Sequence, residues 1–238
     1  MEVSYIDHMG GDGRTVNAAR VSFKKKISEV ILSGPDERLI QYLAKHNHWS
    51  PFSHTIITMV EKVPIFVARQ RFKHFIGFVY TDTEEDGLEA AYNEVSRRYV
   101  DDPPEFFMPD VWRGKPVNAK QGSSDEIIEK FSSDPLWDQH GGNILSIQSH
   151  YQIVLNTCEA VYEQMIKDGV APEQARMVLP QSMYTEYYVT GSLAAWARAY
   201  KLRSDSHAQS EIRDLAAKWN VIIGSIKELE HSWKALTE

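Results

Sequence analysis

The chain has a single cysteine, Cys158, among its 238 residues. One thiol cannot form an internal disulfide, so a fold held together by disulfide bonds is excluded. The sequence also lacks any apolar run near the ~20 residues that a membrane-spanning helix needs, and no signal-peptide pattern opens it. We therefore expect a cytoplasmic protein that has no membrane partner.

Positive charge is also scarce, with 26 lysines and arginines against 33 acidic residues and a net charge of -7. This balance argues against a broad basic surface, so we expect no nucleic-acid partner. Hydrophobic residues make up 42% and charged residues 25% of the chain, which is ordinary for a globular protein. The length fits one domain, which we predict to span residues 1–238.

Two neighbouring segments gather cationic side chains against this acidic background. They read ARQRFKHFIGF at 68–78 and AYNEVSRRYV at 91–100, and their cationic or titratable residues are Arg69, Arg71, Lys73, His74, Arg97 and Arg98. Guanidinium groups and backbone donors at a helix end suit a phosphate. The alternative is a set of solvated helix faces. The neighbouring Phe66 and Phe72 instead favour a mostly buried helix, whose charges need partners.

The spacing of apolar residues predicts an α+β fold in which several helices accompany a few strands. The predicted elements are a strand at 1–7, a short helix at 18–23, a helix at 33–48, a strand at 54–63, a helix that begins at Pro64, a strand at 184–190 and a helix at 192–202. A capping box of the form S-x-x-Q at 206–209 predicts the start of a further helix. Residues 81–89 are predicted to form an exposed loop or hairpin tip, and 101–143 to be irregular.

A long helix is predicted around Cys158, at 144–169. Its apolar stripe comprises Ile144, Ile147, Tyr151, Val154, Cys158, Val161 and Met165, which recur at steps of three and four residues. A thiol within such a stripe favours core packing over a catalytic nucleophile.

Several segments resemble the flavin-dependent thymidylate synthases, whose signature reads R-H-R-x-x-S-x-N-E-x-S-x-R. The signature corresponds here to KHF at 73–75 and YNEVSRRY at 92–99. Further segments agree in the same order, namely NAARVSF at 17–23, HNHWSPFSH at 46–54, EQARMVLP at 173–180, TGSLAAW at 190–196 and LRSDSHAQSEI at 202–212. The similarity spans roughly residues 14–215.

This resemblance implies a single α+β domain that mixes a small antiparallel sheet with several helices. It also implies conversion of dUMP to dTMP, with FAD as the cofactor and with NADPH and 5,10-methylenetetrahydrofolate as cosubstrates. The family forms homotetramers whose active sites are shared between subunits. No metal site is predicted.

The resemblance also implies the dUMP-binding residues. They are Gln70, Lys73, Glu94, Ser96, Arg97, Arg98, Arg176 and Arg203. Without a nucleophilic cysteine, the uracil ring can be activated by a fixed guanidinium that stabilises its negative charge, and Arg203 matches the family's arginine for this role. The alternative for Arg203 is a helix-end arginine paired with Asp205. His48 matches a family active-site histidine.

The residues implied to bind FAD lie in several of the matching segments. They are Ser22, Ser50, Ser53, Lys73, His74, Ile76, Ser192, Arg198 and His207. A histidine beside aromatic residues is most often a satisfied core histidine, and this is the alternative for His74. No dinucleotide-binding glycine fingerprint is present, so FAD is not expected on a Rossmann unit.

The chain departs from the family pattern mainly on the flavin side. The arginines of R-H-R are replaced by Lys73 and Phe75, and an asparagine and an arginine of the family correspond to Ser192 and Ala194. From Phe75 to Asn93 is 18 positions where the signature allows 5, so about 13 residues are inserted, which we assign to 77–90. The five acids of this insertion would repel a phosphate, and we expect them to point away from the nucleotide.

These departures leave two rival functions open. The first is a related pyrimidine-nucleotide enzyme that adds a different one-carbon group, such as hydroxymethyl. The second is a nucleotide-binding protein that has lost flavin chemistry, which the replacements at Phe75 and Ala194 motivate.

Overall fold

The computed structural model describes residues 1–24, 32–74, 76–78, 80–83, 87–90, 92–100, 102–117, 122–133, 135 and 145–238. Within them the helices are α1 (Asp12–Val21), α2 (Gly34–Lys45), α3 (Ile65–Arg71), α4 (Ile147–Lys167), α5 (Pro172–Ala175), α6 (Leu193–Arg203), α7 (Ser210–Gly224) and α8 (Glu230–Thr237). The strands are β1 (Glu2–Met9), β2 (Ile56–Pro64), β3 (Tyr80–Thr83), β4 (Gly87–Ala90), β5 (Asn93–Glu94) and β6 (Tyr184–Ser192). The predicted α+β class is confirmed.

The main sheet has the strand order β1-β2-β6-β5. β1 runs antiparallel to β2, and β5 runs antiparallel to β6 with Asn93 opposite Tyr188 and Glu94 opposite Tyr187. Along β2, Ile57, Met59, Glu61 and Val63 are buried at alternate positions, as the period of a strand requires. One buried-face position of this central strand therefore carries a carboxylate.

The acidic insertion contains a hairpin, as predicted for 81–89. β3 and β4 pair antiparallel, with Tyr80 opposite Ala90 and Thr83 opposite Gly87. Residues 84–86 and Phe75 lie outside the described residues. The expectation that the acids of this insertion point away from the nucleotide stays a prediction.

The chain divides into two compact units. The first, which we call the sheet unit, comprises Met1–Val63, Val67–Glu94 and Glu186–Glu238. The second, the α4 unit, comprises Pro64–Phe66 and Val95–Thr185. The organisation of the whole chain as one domain stays a prediction.

The core of the sheet unit is rich in tryptophan. Trp196 of α6 and Trp219 of α7 are fully buried, with ring centroids 5.6 Å apart. The indole of Trp196 donates to the main-chain oxygen of Ile57 at 3.2 Å, which fixes α6 against β2. The buried carboxylate of Asp12 accepts the main-chain N–H groups of His231 and Ser232, which holds the start of α8.

Helix α4 in the α4 unit corrects the predicted apolar stripe. Its buried residues are Ile147, His150, Leu155 and Tyr162, whereas Val154 is 46% and Val161 43% exposed. Cys158 is a partly buried free thiol between these two faces. Periodicity identified the helix but not its buried side, because the apolar residues of α4 extend around more than one face.

Helix starts account for three further differences. Pro64 ends β2, and α3 begins one residue later, because a proline without an N–H is tolerated at a strand end. α1 begins at Asp12, well before the predicted start at Ala18. α7 begins at Ser210 with Gln209 before it, so the predicted capping box at 206–209 is wrong. The main-chain N–H of His207 is instead taken by the side chain of Asp205 at 2.8 Å.

The position of Cys158 gives a first testable prediction. Cys158→Ala should leave the dTMP formation that the resemblance implies within about twofold of the wild type, because a partly buried thiol on α4 is a packing group rather than a nucleophile. Steady-state turnover of the purified variant, with its fold checked by circular dichroism, measures this. A collapse of turnover in a folded variant would contradict a mechanism that needs no cysteine.

In the part of the chain that the structure describes, no helix has both the length and the apolar character needed to span a membrane.

Candidate active site

A cavity of about 50 Å³ in the sheet unit brings together four of the residues predicted to bind FAD. Its wall is formed by Lys73, His74, Ile76, Phe78, Ala195, Arg198 and Ala199. The turn at Gly77 lies against the start of α6, since the main-chain N–H of Ser192 donates to the oxygen of Gly77 at 2.8 Å. Gly77 has a φ of 84°, and a Cβ there would lie 2.9 Å from the Cβ of Ala195. The close approach therefore requires glycine.

His74 contributes a polar atom that has no partner within the described structure. Its Nε2 is buried and makes no hydrogen bond, although the residue as a whole is half-buried. Burial, followed by the positive charges of Arg203, Arg71 and Arg198, lowers the pKa of His74 to about 4. The ring is therefore neutral at pH 7, and among the described residues its Nε2 lacks the protein partner that a satisfied core histidine has.

The lowered pKa of His74 predicts a loss of stability in acid. The unfolded chain binds this proton near the ordinary pKa of 6.5 and the folded chain only near 4, so the free energy of unfolding should fall as the pH drops through that window. Solvent screening of the half-exposed ring limits the loss to roughly 1–2 kcal/mol. Urea unfolding at pH 7 and pH 4.5 of the wild type and His74→Asn measures the difference.

The matched control for this experiment is His54→Asn, which removes an exposed histidine. His54→Asn should retain the pH dependence of the wild type, and His74→Asn should have a weaker one. Equal pH dependence in all three proteins would rule out a neutral, buried His74 ring.

Arg203 is the last residue of α6 and is joined to Gln70. Its Nη2 donates to the main-chain oxygen of Gln70 at 3.0 Å, and its Nε is buried without a partner in the described structure. Burial and the charge of Arg71 lower its pKa from the ordinary value. Asp205 contacts the ring of His207 at 2.9 Å, so the described contacts do not support the alternative pairing of Arg203 with Asp205.

The side chain of Gln70 is anchored to the start of α7. Its amide donates to the side-chain oxygen of Gln209, and the amide of Gln209 donates to Glu211 at 2.8 Å. This chain of hydrogen bonds gives Gln70 one fixed position beside Arg203.

A buried ionic cluster behind the cavity was not predicted from the sequence as part of the site. Arg71 and Glu61 have side chains with 0% exposure, and Arg71 Nε lies 3.3 Å from Glu61 Oε1. The hydroxyl of Tyr187 donates to the other oxygen of Glu61 at 2.5 Å. The signal was present in the alternation of residues 54–63, which places a carboxylate on the buried face of a strand and so requires a partner.

Three of the predicted dUMP-binding residues lie in a turn of the α4 unit. The main-chain N–H of Tyr99 donates to the oxygen of Ser96 at 2.9 Å, which closes the turn. The Ser96 hydroxyl accepts from the Nε of Arg98 at 3.1 Å, and Arg97 donates to the main-chain oxygen of Pro103 at 3.2 Å. These contacts orient two guanidinium groups with one serine hydroxyl, a donor set that suits a phosphate.

Other predicted site residues are not among those that line the cavity. Within the described residues that wall does not include Gln70, Glu94, Ser192 or Arg203 of the sheet unit, nor His48, Ser22, Ser50, Ser53 and His207. The Ser192 hydroxyl caps α6 by accepting the N–H of Ala195 at 3.2 Å. In the α4 unit, the Nε of the exposed Arg176 donates to the oxygen of Glu173 at 3.4 Å.

His48 belongs to an exposed cluster of rings. Its imidazole stacks on Tyr42 at a centroid distance of 6.2 Å, and His46 lies 4.3 Å from the same tyrosine ring. Exposed aromatic and imidazole faces of this kind are available to a flat ligand.

Comparison with known families identifies the family to which the chain belongs. The family described as thymidylate synthase complementing protein matches residues 4–226. The chain belongs to this family. The match spans the cavity, the Ser96 turn and the buried ionic cluster, and it confirms the resemblance drawn from the sequence motifs.

Individual members of the family are similar over most of their length. A flavin-dependent thymidylate synthase of Thermosipho africanus is 37% identical over 214 residues, which cover 89% of this chain and 80% of the relative. Another, from Thermus thermophilus, is 33% identical over 237 residues, covering 99% of this chain and 75% of the relative. A crystal structure of the UMP/dUMP methylase PolB from Streptomyces cacaoi bound with 5-Br dUMP superimposes with a TM-score of 0.72 and 26% identity, over 99% of this chain and 94% of that one.

Proposed function

We propose that the chain is a flavin-dependent thymidylate synthase that methylates dUMP to dTMP through FAD. In this proposal 5,10-methylenetetrahydrofolate donates the carbon and NADPH supplies the electrons. The observation that carries it is the family match over residues 4–226, which contains a cavity walled by the motif residues Lys73, His74 and Ile76.

We infer that this cavity forms part of the flavin site. Phe78, Ala195 and Ala199 offer an apolar surface, and the unpaired Nε2 of His74 offers a hydrogen bond to a ring atom. Lys73 and Arg198 bring positive charge suited to a diphosphate. When bound, the flavin supplies hydride chemistry that no side chain of the protein can perform.

The nucleotide would be held by guanidinium groups and hydroxyls of the chain. We assign the uracil ring of dUMP to Arg203 of the sheet unit, whose Nη2 donates to the main-chain oxygen of Gln70. A fixed guanidinium stabilises negative charge on the ring oxygens as carbon 5 attacks the one-carbon unit, so addition of a cysteine to carbon 6 is not required. We further propose that His48, with Tyr42, lies where the folate approaches.

We also infer a homotetramer with shared active sites. The cavity is much smaller than the ~300–1,000 Å³ typical of ligand clefts, so one subunit supplies only part of the wall. On the α4 unit, a separate groove of about 480 Å³ runs along the exposed side of α4 beside Val161 and Ala160, and such an apolar surface is typical of an interface. The single cysteine fits a reducing compartment, and we place the enzyme in the cytoplasm.

Two measurements on the purified protein test this function. The absorbance spectrum should show bound flavin, and a turnover assay with dUMP, the folate and NADPH should give a product whose mass equals that of dTMP. A protein that is colourless and binds no added FAD would support the alternative of a nucleotide-binding homologue without flavin chemistry. A product heavier by one oxygen would indicate hydroxymethyl transfer.

A second candidate function is methylation of UMP. It is favoured by the similarity to PolB, whose crystal structures include one bound with 5-Br UMP at a TM-score of 0.68. Comparing kcat/KM for dUMP and UMP on one preparation decides between the two substrates.

A further inference from the structure

The buried Glu61–Arg71 pair lies directly behind His74 in the sheet unit. Arg71 is the last residue of α3 and Glu61 lies on β2, and the fully buried pair is joined at 3.3 Å. Removing two charges from water costs free energy that their attraction repays only in part. A contribution to stability therefore does not by itself explain why a central strand carries this pair.

The main chain of His74 provides a second contact for Arg71. Arg71 Nη1 donates to the main-chain oxygen of His74 at 3.3 Å, and the hydroxyl of Tyr92 donates to the same oxygen at 3.4 Å. The N–H of His74 in turn donates to the oxygen of Arg71 at 3.0 Å. These contacts restrict the backbone from which the imidazole projects.

Aromatic rings fix the guanidinium of Arg71 in one place. Its central carbon lies 4.3 Å from the ring centroid of Phe78, 4.9 Å from that of Trp196 and 5.1 Å from that of Trp219. Phe78 also forms part of the cavity wall. Guanidinium groups stack well on aromatic faces, so this charge is held rigidly behind the cavity.

The charged groups around His74 are mainly positive. Arg71 approaches it from α3, Arg198 and Arg203 from α6, and Lys73 precedes it in the chain. Glu61, the acid of the cluster, is already paired with Arg71. An imidazolium would add another cation to this group, so the surroundings favour the neutral ring.

We propose that the Glu61–Arg71 pair is a positioning device for His74, which fixes its main chain and keeps its imidazole neutral where the flavin binds. This inference rests on the proposed function. A neutral imidazole accepts a hydrogen bond at one nitrogen and donates at the other, whereas an imidazolium can only donate. The family signature places an arginine on each side of this histidine, and here Lys73 and Phe75 take those places. Arg71 supplies a guanidinium that contacts His74 from inside the protein.

The test is the double substitution Glu61→Gln/Arg71→Gln, which removes both charges and leaves an uncharged amide at each position. NMR titration of the His74 ring in flavin-free protein should show a pKa raised by about 1 unit from the wild-type value. The charge of Arg71 lowers this pKa, whereas Glu61 is not among the groups that shift it. The pH below which FAD binding is lost should rise by the same amount. Fluorescence titration with FAD from pH 4 to 8 measures this limit.

A second variant separates position from charge. Arg71→Lys keeps the positive charge, so the pKa of the His74 ring should stay near that of the wild type, but it loses the planar group that contacts the His74 main chain. FAD should then bind roughly tenfold more weakly at every pH. The matched control is Asp12→Asn, which alters another buried carboxylate. Asp12 accepts two main-chain N–H groups at the start of α8, and its substitution should change neither the pKa of His74 nor the affinity for FAD.

Three results would overturn the inference. The first is a double variant that is folded by circular dichroism and that titrates and binds FAD as the wild type does. The second is a shift of both quantities in Asp12→Asn equal to that in the double variant. The third applies if the double variant does not fold. Unchanged FAD binding by Arg71→Lys would then contradict the positioning role of the pair. Failure of the wild type to bind FAD would instead overturn the proposed function, and the ring titration would still decide whether the pair keeps His74 neutral.

Discussion

Arg203→Lys should reduce dTMP formation by roughly 100- to 1,000-fold, the effect of losing a preorganised donor worth ~3–4 kcal/mol. Lysine keeps the charge but loses the planar group that reaches the oxygen of Gln70 at 3.0 Å. Reduction of the bound flavin by NADPH does not involve the uracil ring and should remain near the wild-type rate. Stopped-flow flavin reduction and dTMP formation, measured on one preparation, give the two rates.

Arg213→Lys is the control for this experiment, because it makes the same change at an arginine on α7 that lies outside the predicted site. It should leave both rates near those of the wild type. If flavin reduction in Arg203→Lys falls as far as dTMP formation, Arg203 acts at the flavin or in the structure, and its assignment to the uracil ring is wrong.

Arg71→Ala should lower the free energy of unfolding by about 3–5 kcal/mol, because it leaves Glu61 as a buried charge without its partner. Both side chains are fully buried and joined at 3.3 Å, so water cannot replace the lost contact without opening the core. Urea unfolding followed by tryptophan fluorescence measures the change, since Trp196 and Trp219 lie beside the guanidinium.

Two comparisons make this result specific. Glu61→Gln/Arg71→Gln should cost much less than the single substitution, because no unpaired charge remains. Lys234→Ala breaks an exposed pair of 3.9 Å with Glu238 and should change stability by less than about 1 kcal/mol. A loss as small for Arg71→Ala as for Lys234→Ala would show that the buried pair contributes little.

Local patterns in the sequence predicted most elements but not all of their ends. Alternation over 54–63 predicted β2, and the periodicity of apolar residues predicted α2 and α6 to within a few residues. The predicted start of α3 was one residue too early, and that of α7 was a few residues too early. The first turn of a helix is determined by main-chain hydrogen bonds that form only in the folded chain. The N–H of His207, for example, is occupied by Asp205 and does not begin a helix.

The motifs determined the family and four residues of the cavity. Lys73, His74, Ile76 and Arg198 were assigned from their place in matching segments, and the structure brings all four to one wall. The match of the family to residues 4–226 confirms the assignment of the chain to this family. What the motifs could not supply is the charge state of His74, which depends on burial of the ring and on three arginines from two helices.

By itself, the sequence determined the element order, the α+β class and the family. The spacing of apolar residues and the order of the motifs can both be read along the chain without knowledge of distant contacts. Only the tertiary structure decided which side of α4 is buried and where the charge of Arg71 lies. Val154 and Cys158 fit the apolar period equally well, yet Val154 is exposed and Cys158 partly buried. Arg71 stood in the sequence among possible phosphate ligands and lies instead against Glu61, ten residues away on another element. Burial and pairing depend on contacts between distant segments, and a local pattern does not contain them.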